Sequence, residues 1–552
     1  PALRDMLLLE VPVGVKVSPG GIRVAIQTQT TNWKEDRYDN VCHVHDLTAG
    51  TTHRVNRTGD VKQIEWIDDQ TLALLIQGPN DDDKAQILIY EGLVGEGWAV
   101  TDRETGVEWF KPFADGLLFQ SADKERDENK ARADRFGKFT HFEQEDSSSA
   151  LYYVGLAEVR RHQAEIRAST ADQAEELTPP IIDLSRLMSE PLSIQEVIPS
   201  PTNDAVYINC WKRDDLVYYR DASSFRISLD AGTALAEHLR REKVRKEEEK
   251  DSKNKSTPEG QEEELIDVSY LGEIRRLNLP RLASVAGVSP DGNKLLVAHQ
   301  ERDSKMYTHR DLHLIELEKA LQATDAAEFL AGMRNISASL DREVMAQYWT
   351  EGGIFGSFVD GTCIRVAHFG DNGQITPIDL QSIVLAGEFH ATMSGRIGLI
   401  GANAQAFPDA YLAEPPVEGS TWQARRLSEF GRPVEGWDLG MVETIRWKSK
   451  DGTEIEGVLR KPAGFDPAKK YPLVFIVHGG PRWFSEAYLL PYIENFYYPG
   501  VQLTNKDVLV LSPNYRGSIG RGQAFCDLNV NNLGVGDLWD LESGIENLAE
   551  LG

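Results

Sequence analysis

The sequence predicts a β-propeller followed by a smaller α/β domain, and three observations carry that reading. From about residue 11 to about residue 425, short apolar or alternating strands are separated by Gly, Asp, Asn and Pro turns, with little helical period. Within that region a unit of turn, apolar strand, polar gap and second strand recurs seven times. Beyond it, strands alternate with helical stretches, the pattern of a parallel sheet.

The first copy of the unit runs from Val17 to Leu47 and the second from Ile64 to Tyr90. The third, Pro112 to Leu156, is split by a charged segment, and the fourth runs from Ile198 to Leu229. The fifth and clearest is VSPDGNKLLVAHQ with DLHLIEL, Val288 to Leu317. Tyr348 to Phe369 and Phe389 to Glu414 complete the series. A lone four-stranded blade cannot bury both of its faces, so seven copies imply seven blades stacked around a channel. A large β-sandwich, or two smaller β domains, is the alternative. Residues 240–264 interrupt the pattern with a charge-dense, nearly apolar-free insertion, expected as a mobile loop or frayed helix. The propeller is thus assigned to residues 1–425 and the α/β domain to 426–552.

In the second part, residues 436–465 read as a hairpin with its turn at Lys450-Asp451-Gly452. Leu473 to Val477 reads as a fully apolar buried strand, Ser485 to Phe496 as a helix, and Asp507 to Leu511 as a second buried strand. Residues 536–551 carry Leu538, Leu541, Ile545 and Leu548 at helical spacing, with Asp537 near the start, where an acid suits the helix dipole.

Composition narrows the function. The chain has 59 basic and 87 acidic residues, a net charge of -28, which disfavours nucleic acid and anionic membranes as partners. No apolar run reaches the roughly 20 residues of a membrane helix, and the first residues are too acidic, with too short an apolar run, for a secretory signal. Cys42, Cys210, Cys363 and Cys526 are far apart, which argues against a zinc ribbon or redox pair and fits the cytoplasm. His43 and His45 share one face of a strand, but no third ligand is evident, so neither metal nor cofactor is expected.

His478-Gly479-Gly480-Pro481 follows directly on a strand. Two glycines let backbone approach a ligand and aim N–H groups at it, and in acyl transfer such donors stabilise the oxyanion. A plain strand-to-helix turn is the structural alternative. Asn514-Tyr515-Arg516-Gly517-Ser518, with Gly520 and Gly522, leaves the next strand. Its spacing is not that of a phosphate-binding loop, so it reads as a structural turn with Arg516 paired to a carboxylate. Asp537 and Asp540 open the last helix, and capping accounts for Asp537 without chemistry.

With these motifs and the repeats, the chain resembles the prolyl oligopeptidase family of serine peptidases, in its acylaminoacyl-peptidase and dipeptidyl-peptidase branch. The resemblance implies a seven-bladed β-propeller followed by an incomplete α/β-hydrolase domain. It implies that Gly479 and Gly480 supply a backbone N–H to the oxyanion site, and that Arg482, Trp483 and Phe484 line the substrate cleft. His478, Pro481, Tyr515 and Arg516 support the site. No Gly-x-Ser-x-Gly turn occurs, and Ser485 and Ser518 lack the strained turn that exposes a nucleophile. None of the catalytic triad is assigned, so the chain is expected to be an inactive, C-terminally truncated piece of a longer enzyme. Its implied substrates are short peptides, from which acylated amino acids or dipeptides are released. A non-catalytic propeller scaffold for protein binding and an esterase are the alternatives. Self-association is left open.

Overall fold

The computed structural model describes residues 2–80, 82–93, 95–122, 149–170, 177–188, 192–211, 222–252, 267–302, 308–417, 421–490 and 498–551. The chain forms two compact units, one of residues 1–55, 298–314 and 333–552, the other of residues 56–297 and 315–332.

The second unit contains three four-stranded antiparallel sheets in which each strand pairs with the next. They begin at Asp60–Asp68, Trp109–Phe113 and Ser193–Pro199. The middle sheet explains why the strands read as apolar runs rather than alternations. Leu117, Phe119, Tyr152 and Val154 join one core cluster with Ala73, Leu75 and Ile89 of the preceding sheet. Leu118, Leu151 and Tyr153 point the opposite way, into a cluster with Val206, Ile208 and Ile227 of the following sheet. Side chains alternate across a strand, so a sheet buried on both faces must be apolar at both parities. Helices at Leu156–Ala168 and Ala231–Ser252 flank these sheets. The latter takes up residues 240–252 of the charge-dense stretch, with Glu237 paired to Arg240 and Arg241 one turn on, each at 2.7 Å. Residues 253–264 lie outside the described residues.

The first unit opens with the sheet beginning at Val11–Val17. It also holds an eight-stranded sheet spanning Val344–Thr350 to Gln423–Arg426, in which two meanders are joined by the pairing of Ile364 with Leu385. Val15, Val17, Val24 and Ile26 of the first sheet pack on Ile400, Ala410 and Leu412 of the last meander. Gly398 permits that approach, since a Cβ there would lie 2.6 Å from the Val17 side chain. A further four-stranded sheet is formed by Ala283–Val288, Lys294–His299, Asp311–Glu316 and Arg334–Asn335. Among the described residues, strands of the first four copies and of the sixth and seventh pair antiparallel within the copy.

The α/β part is a four-stranded sheet in the order Met441–Lys448, Glu454–Lys461, Leu509–Asn514, Leu473–Phe475. The hairpin is present, with Gly452 at φ +86° in its turn. Only the last pair of strands is parallel; the hairpin adds its two strands antiparallel.

Three local expectations are corrected. The strand expected at 473–477 is Leu473–Phe475, and it is not fully buried: Val474 is 36% and Val477 41% exposed, because this strand lies at the sheet edge. Residues 485–490 are not helical, and the rest of that expected helix, 491–496, falls outside the described residues. The backbone there is bonded elsewhere: Ala487 N–H donates to the Thr362 carbonyl, Leu489 N–H to that of Asn403, and Arg460 to the Tyr488 and Leu489 carbonyls. A chain whose polar groups are taken by other segments has none left for a helical ladder.

The helix Gly536–Glu550 forms, and its apolar residues divide: Leu548 packs on the sheet core of Trp447, Ile455 and Leu511, whereas Leu538 and Ile545 turn outward. Leu538 is 48% and Ile545 50% exposed, whereas Gly536, Asp540, Ser543 and Gly544 are buried. Gly544 sets the helix against the Trp447 ring, 3.3 Å from where a Cβ would sit, and Trp447 Nε1 donates to the Asp540 carbonyl at 2.8 Å. Close approach through small residues and one buried ion pair thus set the buried face, and Leu538 and Ile545 are left outside it.

Candidate active site

The His478–Pro481 turn leaves the edge strand and is held from beneath by the turn after the neighbouring strand. Tyr515 OH donates to the His478 carbonyl at 2.8 Å, and the Tyr515 ring stacks on the imidazole at 4.7 Å between centroids. Ser518 Oγ donates to the Tyr515 carbonyl at 2.6 Å; the imidazole of His478 is engaged at both nitrogens, Nε2 at 3.0 Å from Ser518 Oγ and Nδ1 at 3.1 Å from the Gly479 carbonyl. Burial holds His478 below the usual imidazole value, with the adjacent Gly479 carbonyl acting the other way. A neutral, donor-bonded imidazole is a strut for the loop rather than a free base. Ser518 is fully buried and Ser485 4% exposed, so neither is presented as a nucleophile.

Gly479 and Gly480 are exposed, and among the described residues neither N–H donates a hydrogen bond. Gly480 has φ +131°, and a Cβ there would lie 2.6 Å from the Arg482 nitrogen, so the turn requires glycine. Gly479 meets nothing within 4 Å. The loop therefore offers two unpaired donors side by side, the arrangement an oxyanion needs. Beyond Pro481, Arg482 is ion-paired with Glu343, Trp483 is 39% exposed, and Phe484 is buried beneath them. Asn514 fixes the next residues by accepting from Ser485 N–H at 2.6 Å.

Arg516 anchors the supporting turn. Its buried guanidinium bonds Asp540 through Nη2 at 2.8 Å and through Nε, and its backbone N–H donates to Asp540 Oδ2 at 2.8 Å. Asp451 of the hairpin turn takes Nη1 at 2.8 Å and Nη2 at 3.1 Å. The expected carboxylate partner is thus two carboxylates, from two elements. The spacing of Asp540 with Gly536 and Gly544, four residues either way, is the sequence signal that marks the buried face. Asp537 is the second residue of the helix, not its cap, and accepts from Leu538 N–H at 2.9 Å. Cys526 Sγ lies 3.5 Å from His309 Nε2, but burial pushes the thiol up to about 11, so it stays protonated at neutral pH and does not replace a serine. His43 pairs with Glu10 at 3.0 Å and His45 with Thr52 at 2.8 Å, so the two imidazoles hold separate partners.

No family model matches the chain. It is 33% identical over 97 residues to a probable dipeptidyl-peptidase 5 of Emericella nidulans; the match covers 17% of this chain and only 12% of that relative. Two acylaminoacyl peptidase structures, one from Pyrococcus horikoshii and one in complex with Z-Gly-Gly-Phe-chloromethyl ketone, share its fold. Each is 15% identical with a TM-score of 0.67, over 100% of this chain and 72% of the other. Its homologues and structural neighbours are prolyl oligopeptidase-family peptidases.

Proposed function

We propose that this chain carries the propeller and the front part of the catalytic domain of a serine peptidase, which releases acylated amino acids or dipeptides from the N-terminus of short peptides. The observation that carries the reading is the Gly479–Gly480 turn, whose two N–H groups have no partner among the described residues. In this reading those groups receive the oxyanion of the tetrahedral intermediate, which needs donors already in place. His478, Tyr515 and Ser518 hold the turn in position, while Arg482 and Trp483 face the substrate above Phe484. The antiparallel meanders act as seven blades of one propeller that limits access to the cleft. Four free cysteines fit a cytoplasmic setting.

The nucleophile, its base and the orienting acid belong, in this reading, to polypeptide beyond these 552 residues. The open edge of the Leu473–Phe475 strand and the outward Leu538 and Ile545 support this, as apolar surface suited to further strand and helix. The test compares the purified chain with a polypeptide extended along its reading frame, using a fluorophosphonate probe, an N-acetyl-alanine anilide and a dipeptide anilide. The extended form is expected to label and to release anilide, and the chain alone to do neither. Labelling of the chain alone at a serine would overturn the fragment reading. Hydrolysis of simple esters but of neither anilide would favour an esterase.

A further inference from the structure

The second unit contains an open cavity of about 1290 Å³, remote in sequence from the peptidase site. Its lining draws on strand ends near Arg103 and Tyr152 and on the helices Leu156–Ala168 and Ala231–Ser252. Three basic side chains, Lys84, Arg103 and Arg186, and two imidazoles, His162 and His238, line it. Arg103 bonds only neutral groups, Ser121 Oγ at 3.3 Å and Tyr152 OH at 3.1 Å. Arg186 is exposed and makes no hydrogen bond or ion pair among the described residues. His238 engages Tyr270 OH through Nδ1 at 2.9 Å, which leaves Nε2 without a partner there.

Five acids also line the cavity, and among the described residues none of them is ion-paired with Arg103 or Arg186. Asp83 accepts from Asn80, Asp183 from the Ser185 N–H at 2.9 Å, and Glu242 pairs with Arg245 at 2.7 Å. Asp82 and Asp102 are exposed and form no ion pair with either arginine. Two of the three tyrosines of the lining have their rings already covered. Tyr152 is covered by Phe119 at 5.2 Å and by Arg103 at 4.5 Å, and Tyr270 by His238 and by Arg241 at 4.4 Å. Two guanidiniums without carboxylate partners are thus gathered in one cavity of a chain whose net charge is -28. Burial holds His162 and His238 below the usual imidazole value, so both are neutral donors rather than further charges.

We propose that this cavity binds a small organic polyanion, a polycarboxylate or a phosphate compound, gripped by Arg103 and Arg186 and hydrogen-bonded by the histidines. Guanidinium forks match carboxylate and phosphate oxygens in pairs, and a ligand held this way needs no stacking surface. The overall negative field repels anions at large, so a saturable anion site requires such a local concentration of donors.

The test is isothermal titration calorimetry of the full chain at low salt, with citrate as the carboxylate probe and inorganic pyrophosphate as the phosphate probe. At least one is expected to bind saturably, and binding is expected to weaken as salt is added. Arg186→Gln is expected to raise that Kd about tenfold or more. Because Arg186 has no partner among the described residues, this variant should unfold at the same urea midpoint as the parent. Arg103→Gln serves as the second variant. Saturation by citrate alone assigns a carboxylate ligand, and by pyrophosphate alone a phosphate ligand. Failure of both probes to saturate, or unchanged affinity in both variants, would overturn the proposal. Neither readout depends on peptidase activity.

Discussion

Asp540→Ala is the sharpest test of how the candidate site is held. Asp540 is fully buried and accepts three bonds from one residue: Arg516 N–H at 2.8 Å, Nη2 at 2.8 Å and Nε at 3.1 Å. Alanine leaves the guanidinium 3% exposed with only Asp451 and Ser449 as side-chain partners. Breaking a buried pair by removing one member costs about 3–5 kcal/mol, since the other charge stays desolvated. Three charge-assisted bonds at about 1.5–3 kcal/mol each would give more, but Asp451 retains part of the compensation. Asp451→Ala is the internal control. Its side chain is 37% exposed, and a pair open to water is worth only about 1 kcal/mol or less. Urea unfolding followed by tryptophan fluorescence reads the difference, because Trp447 donates to the Asp540 carbonyl and Trp539 lies 5.7 Å from the Arg516 guanidinium. If Asp540→Ala loses no more stability than Asp451→Ala, the claim that Asp540 anchors the Arg516 turn fails.

Four further outcomes are expected. Gly480→Ala should destabilise by about 1–3 kcal/mol, from its φ of +131° and the 2.6 Å approach to Arg482, while Gly479→Ala should stay within about 0.5 kcal/mol; equal effects in denaturant melts would contradict the loop geometry. Tyr515→Phe removes the bond to the His478 carbonyl but keeps the ring stack, so a loss of about 1 kcal/mol is expected by the same measurement. Leu538→Lys with Ile545→Lys should change the stability of this chain by no more than about 0.5 kcal/mol each, and a large loss would show the stripe to be buried after all. Asp451 is held below the usual carboxylate value, chiefly by Arg516; its contribution is complete above its unfolded value near about 4 and is lost as pH falls through the lower folded value. Acid melts of the parent should therefore be steeper than those of Asp451→Asn in that range.

Much of this molecule was legible in the sequence because its signals are local. Strand positions in the repeats follow from apolar runs between turn residues, and the runs are continuous because both faces of a sheet are buried, as Leu117, Leu118 and Phe119 show. The hairpin turn and the glycine turn after His478 follow from residues that alone accept the required backbone angles, Gly452 at φ +86° and Gly480 at +131°. What the sequence could not decide were competitions between distant groups. Residues 485–490 are not helical because Thr362, Asn403 and Arg460 take their polar groups, and none of these is near in sequence. The last helix turns Leu538 outward because Arg516, Trp447 and Gly544 reward the opposite face, a preference that exists only once three segments meet. Local periodicity fixes that a helix forms; which face it buries depends on partners that only the tertiary structure brings together.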